Sequence, residues 1–574
     1  MIRILMKSIR EYKKASWLTP AFVTGEVLMD IVMPLLVAAL IDQGVSAGDQ
    51  DKIFYYGMWL TVAAITALIL GVLSGRFAAI ASTGFAKNLR RDMFVNIQSF
   101  SFSNIDRFSP SSLLTRLTTD VTNVQNAYQM IIRLLIRSPL MFVFSIAMAF
   151  KVNAELAGTI LWVVPGLFVG LFLIIRFAHP LFDKVFKIYD QMNNVVQENL
   201  QGIRVVKSYV REDYENKKFQ GVSEKIYRNF MKAEKIVALN SPLMQFSNYL
   251  SMLLVSWVGA HLIAAQTMTT GELVSMFTYV GQILMSLMML SNVFVMVLIA
   301  RTSTERIVAV LQEKSDLTNP AEPLETLANS EVEFDHVSFS YCDDVHKLAL
   351  KDISFHAKSG EVIGIVGGTG SSKSTLVQLI PRLYDVTSGK LLVGGADVRK
   401  YDLSRLRDQV AMVLQNNVLF SGTIAENLRW GNPEATQAEL ERACQIAQAE
   451  EFIATLPEGY ETMLSQGGTN LSGGQKQRLT IARALLKQPK ILILDDSTSA
   501  VDTRTDRLIR EGLKKAIPGM TTFIIAQRIA SVQDADRTIV LENGQIHGIG
   551  THAELMAHDQ IYQEMYNTQQ EGFK

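Results

Sequence analysis

The sequence predicts two parts in series. A membrane α-helical domain of six transmembrane helices with long cytosolic extensions comes first, and an α/β domain carrying a phosphate-binding loop follows. Three observations lead there. Apolar stretches are confined to the chain before about residue 310. After that point short β-rich runs alternate with helical patterns, which argues for a largely parallel sheet. Within this second part, "GGTGSSKST" (Gly367 to Thr375) almost fits the pattern G-x-x-x-x-G-K-S/T.

Composition agrees with this division. At 574 residues the chain exceeds one ordinary domain, and 48% hydrophobic residues is high for a protein wholly in water. The 55 basic side chains balance 55 acidic ones, so no basic footprint marks nucleic acid as a partner. Cys342 and Cys444 are too few for a disulfide framework and suit a reducing cytosol. The opening "MIRILMKSIREYKK" is too charged for the apolar core of a signal peptide.

Six candidate spans run Trp17 to Ile41, Phe54 to Ile80, Ser138 to Val152, Leu156 to Phe177, Met244 to Ala265 and Leu273 to Ala300. A hydrocarbon core of about 30 Å needs roughly 20 helical residues. The third stretch is short for that, so it is expected to borrow from "MIIRLLIR" before it. Orientation follows Lys and Arg. They crowd the N-terminus (Arg3, Lys7, Arg10, Lys13, Lys14) and the long connections (Lys87, Arg90, Arg91, Lys207, Arg211, Lys217, Lys218). "GVSAGDQD", "KVNAE" and "AQTMTTGE" are poor in positive charge and are placed outside, so both termini are expected in the cytosol. Long structureless loops are uncommon. The helices are therefore expected to continue from Ile80 to about Gln129 and from Phe177 to about Lys235, turning at "RFSPSSLL" and "REDYENKK".

"KSDLTNPAEPLETLANSE" is polar, contains two prolines and reads as a linker. The expected domains are thus residues 1–312 in the membrane, 313–330 as linker and 331–574 as the nucleotide-binding domain. The runs "VEFDHVSFSY", "EVIGIVG", "VAMVLQ", "ILILDD" and "TTFIIAQ" are expected strands. Strand "EVIGIVG", a tight loop and the helix-forming "KSTLVQLIPRL" supply the context that the phosphate motif requires. The candidate nucleotide-binding residues are Gly367, Gly368, Thr369, Gly370, Ser371, Ser372, Lys373, Ser374 and Thr375. Backbone N–H groups and the helix N-terminus hold phosphate there. Lys373 adds a charge, and the Ser374 hydroxyl can ligate Mg²⁺. Asp495, ending the apolar run "ILILDD", is placed to hold the Mg²⁺ shell.

A rarer string follows. "LSGGQKQRLTIARALL", Leu471 to Leu486, resembles the signature of ATP-binding cassette (ABC) transporters, and the resemblance extends over nearly the whole chain, six spans and then one cassette. It implies an exporter-type (type IV) half-transporter that binds ATP and Mg²⁺ and sits in the lipid bilayer of a bacterial cell membrane. It also implies head-to-tail packing of two cassettes. Each ATP then lies between the phosphate loop of one cassette and Leu471, Ser472, Gly473, Gly474 and Gln475, or their equivalents, of the other. By the same resemblance Tyr341 matches the aromatic that stacks on adenine, although a strand tyrosine can equally be packing. Gln415 matches the glutamine that senses Mg²⁺, and "SAVD", Ser499 to Asp502, matches the loop facing the opposite site. "SPSSLL" (Ser109 to Leu114) and "GIRVVKSYVRE" (Gly202 to Glu212) fall where coupling helices, or simply solvated helices, are expected.

Three positions depart from the pattern. Asp496 stands where a catalytic Glu is usual, Gln527 where a switch His is usual, and Ser372 where a Gly is usual. One methylene less moves a carboxylate by about 1 Å, and such a misplacement can cost about 10²-fold. Glutamine carries no titratable proton. Asp496 and Gln527 would touch the same reacting water and phosphate, while LSGGQ is intact. The chain therefore resembles the degenerate-site subunit of heterodimeric multidrug exporters of the LmrC/LmrD or BmrC/BmrD type. That implies a partner half-transporter with an intact catalytic Glu and His. A slow homodimer is the alternative. Gln466, where Glu is usual, places signalling at that loop in question.

For substrates, Glu26 and Asp30 share one face of the first span. Carboxylates in a span are costly and face the interior or water. They either attract cationic amphipathic molecules or pair with Arg133, Arg137 or Arg176. Met244, Met252, Met276, Met285, Met288, Met289 and Met296 would suit varied apolar ligands or ordinary helix packing. The expected function is ATP-driven export of amphipathic compounds. Lipid or peptide export, or a regulatory, channel-like subunit gated by ATP binding, are the alternatives.

Overall fold

The computed structural model describes residues 1–571 apart from 343, 345 and 498–500. Ser499 and Ala500 of "SAVD" therefore lie outside the described residues. The chain divides into two compact units. One comprises Met1–Gln98 and Ser111–Gln312, the other Ser99–Pro110 and Glu313–Lys574.

The first unit is helical. Six segments are long and apolar enough to cross a membrane: Ile2–Val45, Gln50–Gln98, Pro110–Val152, Ala154–Gln201, Glu212–Ala264 and Thr270–Ser291. The helix Gln50–Gln98 has 49 residues. At 1.5 Å per residue it is more than twice as long as a hydrocarbon core of about 30 Å is thick, so these helices continue past the membrane as the sequence predicts. The third span does draw on "MIIRLLIR", within one continuous helix Val121–Val152. The turn at "KVNAE" is sharp because the Asn153 side chain accepts from the Leu156 N–H at 3.0 Å and starts the next helix.

Helices approach closely where a residue is small. A Cβ on Gly84 would lie 2.4 Å from the Tyr12 ring, and one on Gly170 would lie 2.6 Å from Leu243. A buried cluster joins Val23, Val27 and Ile31 of the first span to Met276, Tyr279 and Ile283 of the last. The Tyr279 hydroxyl donates to the Ile31 carbonyl at 2.9 Å. Among the methionines named above, Met276 is fully buried in this core and Met285 is exposed.

Glu26 and Asp30 both meet Arg137. One guanidinium nitrogen holds Glu26, and the other reaches Asp30 at 2.9 Å. The arginine thus compensates part of the charge that hydrocarbon would penalise. Arg137→Ala should strand two carboxylates and cost ~3–5 kcal/mol. Thermal unfolding of the detergent-solubilised protein checks this, and Glu26→Gln with Asp30→Asn should recover most of the loss.

Both predicted turns are shifted. "RFSPSSLL" is not a single turn. A short helix Phe102–Phe108 precedes it, and Pro110–Thr115 already begins the returning helix. Of the expected coupling stretch Ser109 to Leu114, Ser109 ends the helix Phe102–Phe108 and the rest lies in the helix Pro110–Thr115. Proline is favoured at a first helical position, so Ser109–Pro110 marks a start as well as a turn. "REDYENKK" is likewise helical, opening Glu212–Val237 with Glu212, Asp213 and Glu215 in the first turn, where carboxylates suit the helix dipole. The second tip is the short helix Ile203–Ser208, within "GIRVVKSYVRE" and ahead of the predicted turn.

The second unit is α/β. Its strands are β1 (Val332–Phe339), β2 (Leu350–Ala357), β3 (Val362–Gly367), β4 (Ser388–Val393), β5 (Ala396–Asp397) and β6 (Val410–Val413). They continue with β7 (Gly422–Thr423), β8 (Met463–Leu464), β9 (Ile491–Asp495), β10 (Thr521–Ile525), β11 (Arg537–Glu542) and β12 (Gln545–Gly550). A four-stranded sheet runs β2-β1-β4-β5, and a six-stranded sheet runs β12-β11-β3-β10-β9-β6. The β3, β10, β9, β6 and β11 pairings are parallel. β3, β9 and β10 are apolar runs buried almost throughout, as expected of a sheet covered on both faces. Residues 313–330 lie along this unit, with the Leu324 N–H donating to the Lys400 carbonyl at 2.8 Å and the Leu327 N–H to Gln409 Oε1 at 3.0 Å.

The segment Ser99–Pro110 belongs to this unit. Ser101 and Asn104 form a capping box at the start of Phe102–Phe108. Asn104 Nδ2 donates to Glu313 Oε1 at 2.7 Å, and Tyr384 Oη donates to Asp106 Oδ2 at 2.8 Å.

Candidate nucleotide site

Four neighbouring parallel strands build the site. β3, β10, β9 and β6 lie side by side. The loops at their C-terminal ends therefore share one edge of the sheet, where ligands of α/β folds bind. These loops carry Gly367–Ser372, Gln527, Asp495–Asp496 and Gln415. Residues spread over about 160 positions meet because strand order folds them together.

The phosphate loop leaves β3 through Gly367, at φ 156°. A Cβ there would lie 2.2 Å from the Leu541 carbonyl oxygen, so only glycine fits. Gly370 has φ 82°. A Cβ on Gly368 or Gly370 would meet nothing within 4 Å, which leaves open space above the loop. Ser372 takes a left-handed conformation, φ 70° and ψ 27°, at the cap of the helix Lys373–Gln378 and makes no side-chain cap bond. A non-glycine residue there costs roughly 1–2 kcal/mol. Ser372→Gly should therefore raise the share of binding-competent loops and the ATP affinity, by up to about 30-fold, without speeding turnover. A binding isotherm with a fluorescent ATP analogue and a phosphate-release assay check the two halves of that statement.

Lys373 folds back over the loop. Its Nζ donates to the Gly367 carbonyl at 2.9 Å, the Gly368 carbonyl at 2.8 Å and Ser371 Oγ at 3.3 Å. Burial pushes its pKa down, opposed by Asp496 and Asp495. The Ser374 hydroxyl donates to Asp495 Oδ1 at 2.9 Å. Asp495 is buried, and burial raises its pKa against the Ser374 bond. Asp496 has φ 47°, a region in which Asp is better tolerated than most residues. Its Oδ2 accepts from Gln527 Nε2 at 2.7 Å and from Gln415 Nε2 at 3.5 Å. Burial again raises its pKa, and the two amides oppose this.

The residues fit ATP and Mg²⁺. Serine hydroxyl, carboxylate and amide carbonyl are the hard oxygen donors that Mg²⁺ takes, together with waters and phosphate, and the open glycine face admits a phosphate chain. Ser374, Asp495 and Gln415 would hold the ion, and Gly367–Thr375 the phosphates. Mg²⁺ would neutralise the charge that develops on phosphoryl transfer.

The ring of Tyr341 is half-exposed and packs edge-on against Phe339 and Tyr384. Its hydroxyl shares a 2.9 Å hydrogen bond with Thr375 Oγ1, which fixes it beside the phosphate-loop helix. Leu471–Gln475 head a different helix, Gly473–Leu485. Ser472 Oγ accepts from the Gln475 N–H at 3.3 Å, and Gln475 Oε1 accepts from the Ser472 N–H at 2.8 Å. The signature S-G-G-Q is thus also an S-x-x-Q capping box, a reading available from sequence alone. Gln466 is exposed in a turn that includes Gly467 and Gly468, both at positive φ. Sequence reasoning missed Tyr384 and Asp106, which no local motif marks.

Comparison with known proteins agrees with this geometry. Residues 17–287 match the ABC transporter transmembrane region, and residues 350–499 match the ABC transporter domain. The uncharacterized ABC transporter ATP-binding protein YfiB of Bacillus subtilis is 36% identical over 561 residues, covering 98% of this chain and 97% of that one. A fatty acid ABC transporter ATP-binding/permease protein of Mycobacterium bovis is 35% identical over 477 residues, covering 83% and 75%. A bacterial Atm1-family ABC exporter solved with ATP bound has a TM-score of 0.80 at 24% identity, covering 98% of each chain. It shares the fold. The chain belongs to the ABC transporter family, with a multi-pass membrane region and an ATP-hydrolysing cassette of exporter fold in one polypeptide.

Proposed function

We propose that this chain exports amphipathic compounds as one half of a heterodimer, and that its own ATP site is the weak one. The observation that carries this reading is the Gln527–Asp496 hydrogen bond at 2.7 Å. Both unusual residues meet at one place, so they act as one altered unit. A carboxylate one methylene shorter than Glu, held by an amide that cannot shuttle a proton, is a poor general base. Meanwhile the capped helix beginning at Ser472 is complete and exposed at Ser472 and Gly473. It is suited to close a partner's site, where Glu and His perform the hydrolysis.

A need for a partner is also supported by the second tip. Val205, Tyr209, Val210 and Tyr214 are 60–79% exposed there. Apolar groups gathered at one tip are expected to be covered by another surface.

Glu26 and Asp30 with Arg137 carry a formal net charge of −1. In this reading the remaining charge favours the cationic end of a substrate. A lipid reading has one observation of its own, the relative whose name specifies fatty acid transport. Inverted vesicles containing the purified complex separate the two. ATP-dependent uptake of a cationic dye supports multidrug export. Uptake of a labelled fatty acid without dye, despite ATPase activity, overturns it in favour of lipid export.

A further inference from the structure

The C-terminal helix Gln560–Glu571 ends beside the loop that follows β10 and carries Gln527. Its start is fixed by Tyr562, which is fully buried. The Tyr562 N–H donates to Asp559 Oδ1 at 2.8 Å, and its hydroxyl meets His552 Nδ1 at 2.8 Å. Two turns further on, one side-chain amide grips the backbone of the loop at two points. Gln569 Nε2 donates to the Gln527 carbonyl at 2.8 Å, and Gln569 Oε1 accepts from the Ile529 N–H at 2.9 Å. Ile529 is 1% exposed, so losing that acceptor leaves a buried donor without its partner. The side chain of Gln527 then reaches Asp496. Beside these residues lies a cavity of about 660 Å³ lined by Asp496, Gln527, Arg528, Tyr566 and Gln569. Beyond residue 529 the segment is held separately, by the Ser531 hydroxyl donating to Asp506 Oδ2 at 3.1 Å.

We infer that Gln569 is a positioning residue for Gln527: its amide clamps residues 527–529, and the C-terminal helix thereby sets how long this chain's site retains ATP. The inference rests on the reading of Gln527 as part of the nucleotide site. It does not require that site to hydrolyse ATP.

The test uses the complex purified from its own membrane through a tag on this chain. Radiolabelled 8-azido-ATP is bound and chased with unlabelled ATP, and the label crosslinked to this chain is followed with time. Hydrogen exchange of the peptide spanning residues 526–531 is measured in parallel. Gln569→Ala should shorten label retention about tenfold and remove the protection of the Ile529 amide by a similar factor. Gln569→Glu keeps the acceptor but not the donor, so it should retain the Ile529 protection and still shorten retention. It decides the matter if the alanine variant fails to fold.

Gln563→Ala removes a different bond of the same helix, to the Met556 carbonyl at 2.8 Å. It should leave both readouts at the wild-type level. Equal effects at positions 563 and 569 would mean general support by the helix and would overturn the clamp. Lys373→Ala separates the underlying reading. If it labels like wild type, the nucleotide site is misassigned. If it loses label while Gln569→Ala and Gln569→Glu both behave as wild type, the clamp alone is wrong.

Discussion

Changing the partner's catalytic Glu to Gln should lower the ATPase rate of the purified pair by about 10²–10³-fold, whereas Asp496→Asn in this chain should change it less than about twofold. The asymmetry follows from geometry. Asp496 is engaged by Gln527 at 2.7 Å and Gln415 at 3.5 Å. These amide donors stabilise a carboxylate but supply no proton path. Removing its charge therefore removes little chemistry. In the proposed heterodimer the partner's Glu, closed over by Ser472–Gln475 of this chain, would carry the turnover. Steady-state phosphate release from the two variants measures the contrast. Survival of the rate in the partner variant would place hydrolysis in this chain instead.

The second large effect is a gain. Asp496→Glu combined with Gln527→His should raise turnover in this chain's site by roughly 10²-fold. Each single change should give much less. The two side chains are in direct contact, so their effects couple rather than add. A lengthened carboxylate opposite Gln527 must displace the amide, and a histidine opposite the shorter Asp496 is left without the full reach of a Glu. The measurement is single-turnover ATP cleavage with the partner's site disabled by its Glu to Gln change. Additive single effects would show that Asp496 and Gln527 do not act as one unit.

Much of this site is legible in the sequence, because its motifs sit at strand ends and strand ends are local features. The phosphate loop, Asp495 and the apolar runs before them need only the pattern of β3 and β9. The meeting of Gln415, Asp496 and Gln527 is different. It depends on the order β3-β10-β9-β6, which no spacing encodes. The same limit hid β2, where register shifts against β1 and the positive φ of Asp352 disturb the alternation. β4 escaped because Ser388, Gly389 and Lys390 are exposed.

The turns were shifted for a local reason. Ser-Pro and a run of acids are signals of a helix start as much as of a turn. Ser101 and Asn104, the capping pair of Phe102–Phe108, carry the correct boundary. The pairing of Glu26 and Asp30 with Arg137, rather than Arg133 or Arg176, was open in the sequence. It is decided by which face of Val121–Val152 meets the first span. Gln569 lies 42 residues from Gln527 in a polar helix, and nothing in its neighbourhood marks it.

The most direct test of the division of labour is chain-resolved nucleotide trapping. The tagged chain is purified from its own membrane with whatever chain assembles with it, incubated with α-labelled 8-azido-ATP and Mg²⁺, irradiated with and without vanadate, and the chains are separated. Intact ATP on this chain without vanadate, and vanadate-trapped ADP on a second, different chain, is the predicted result. Trapped ADP on this chain to the same extent, or a complex containing this chain alone, would contradict it.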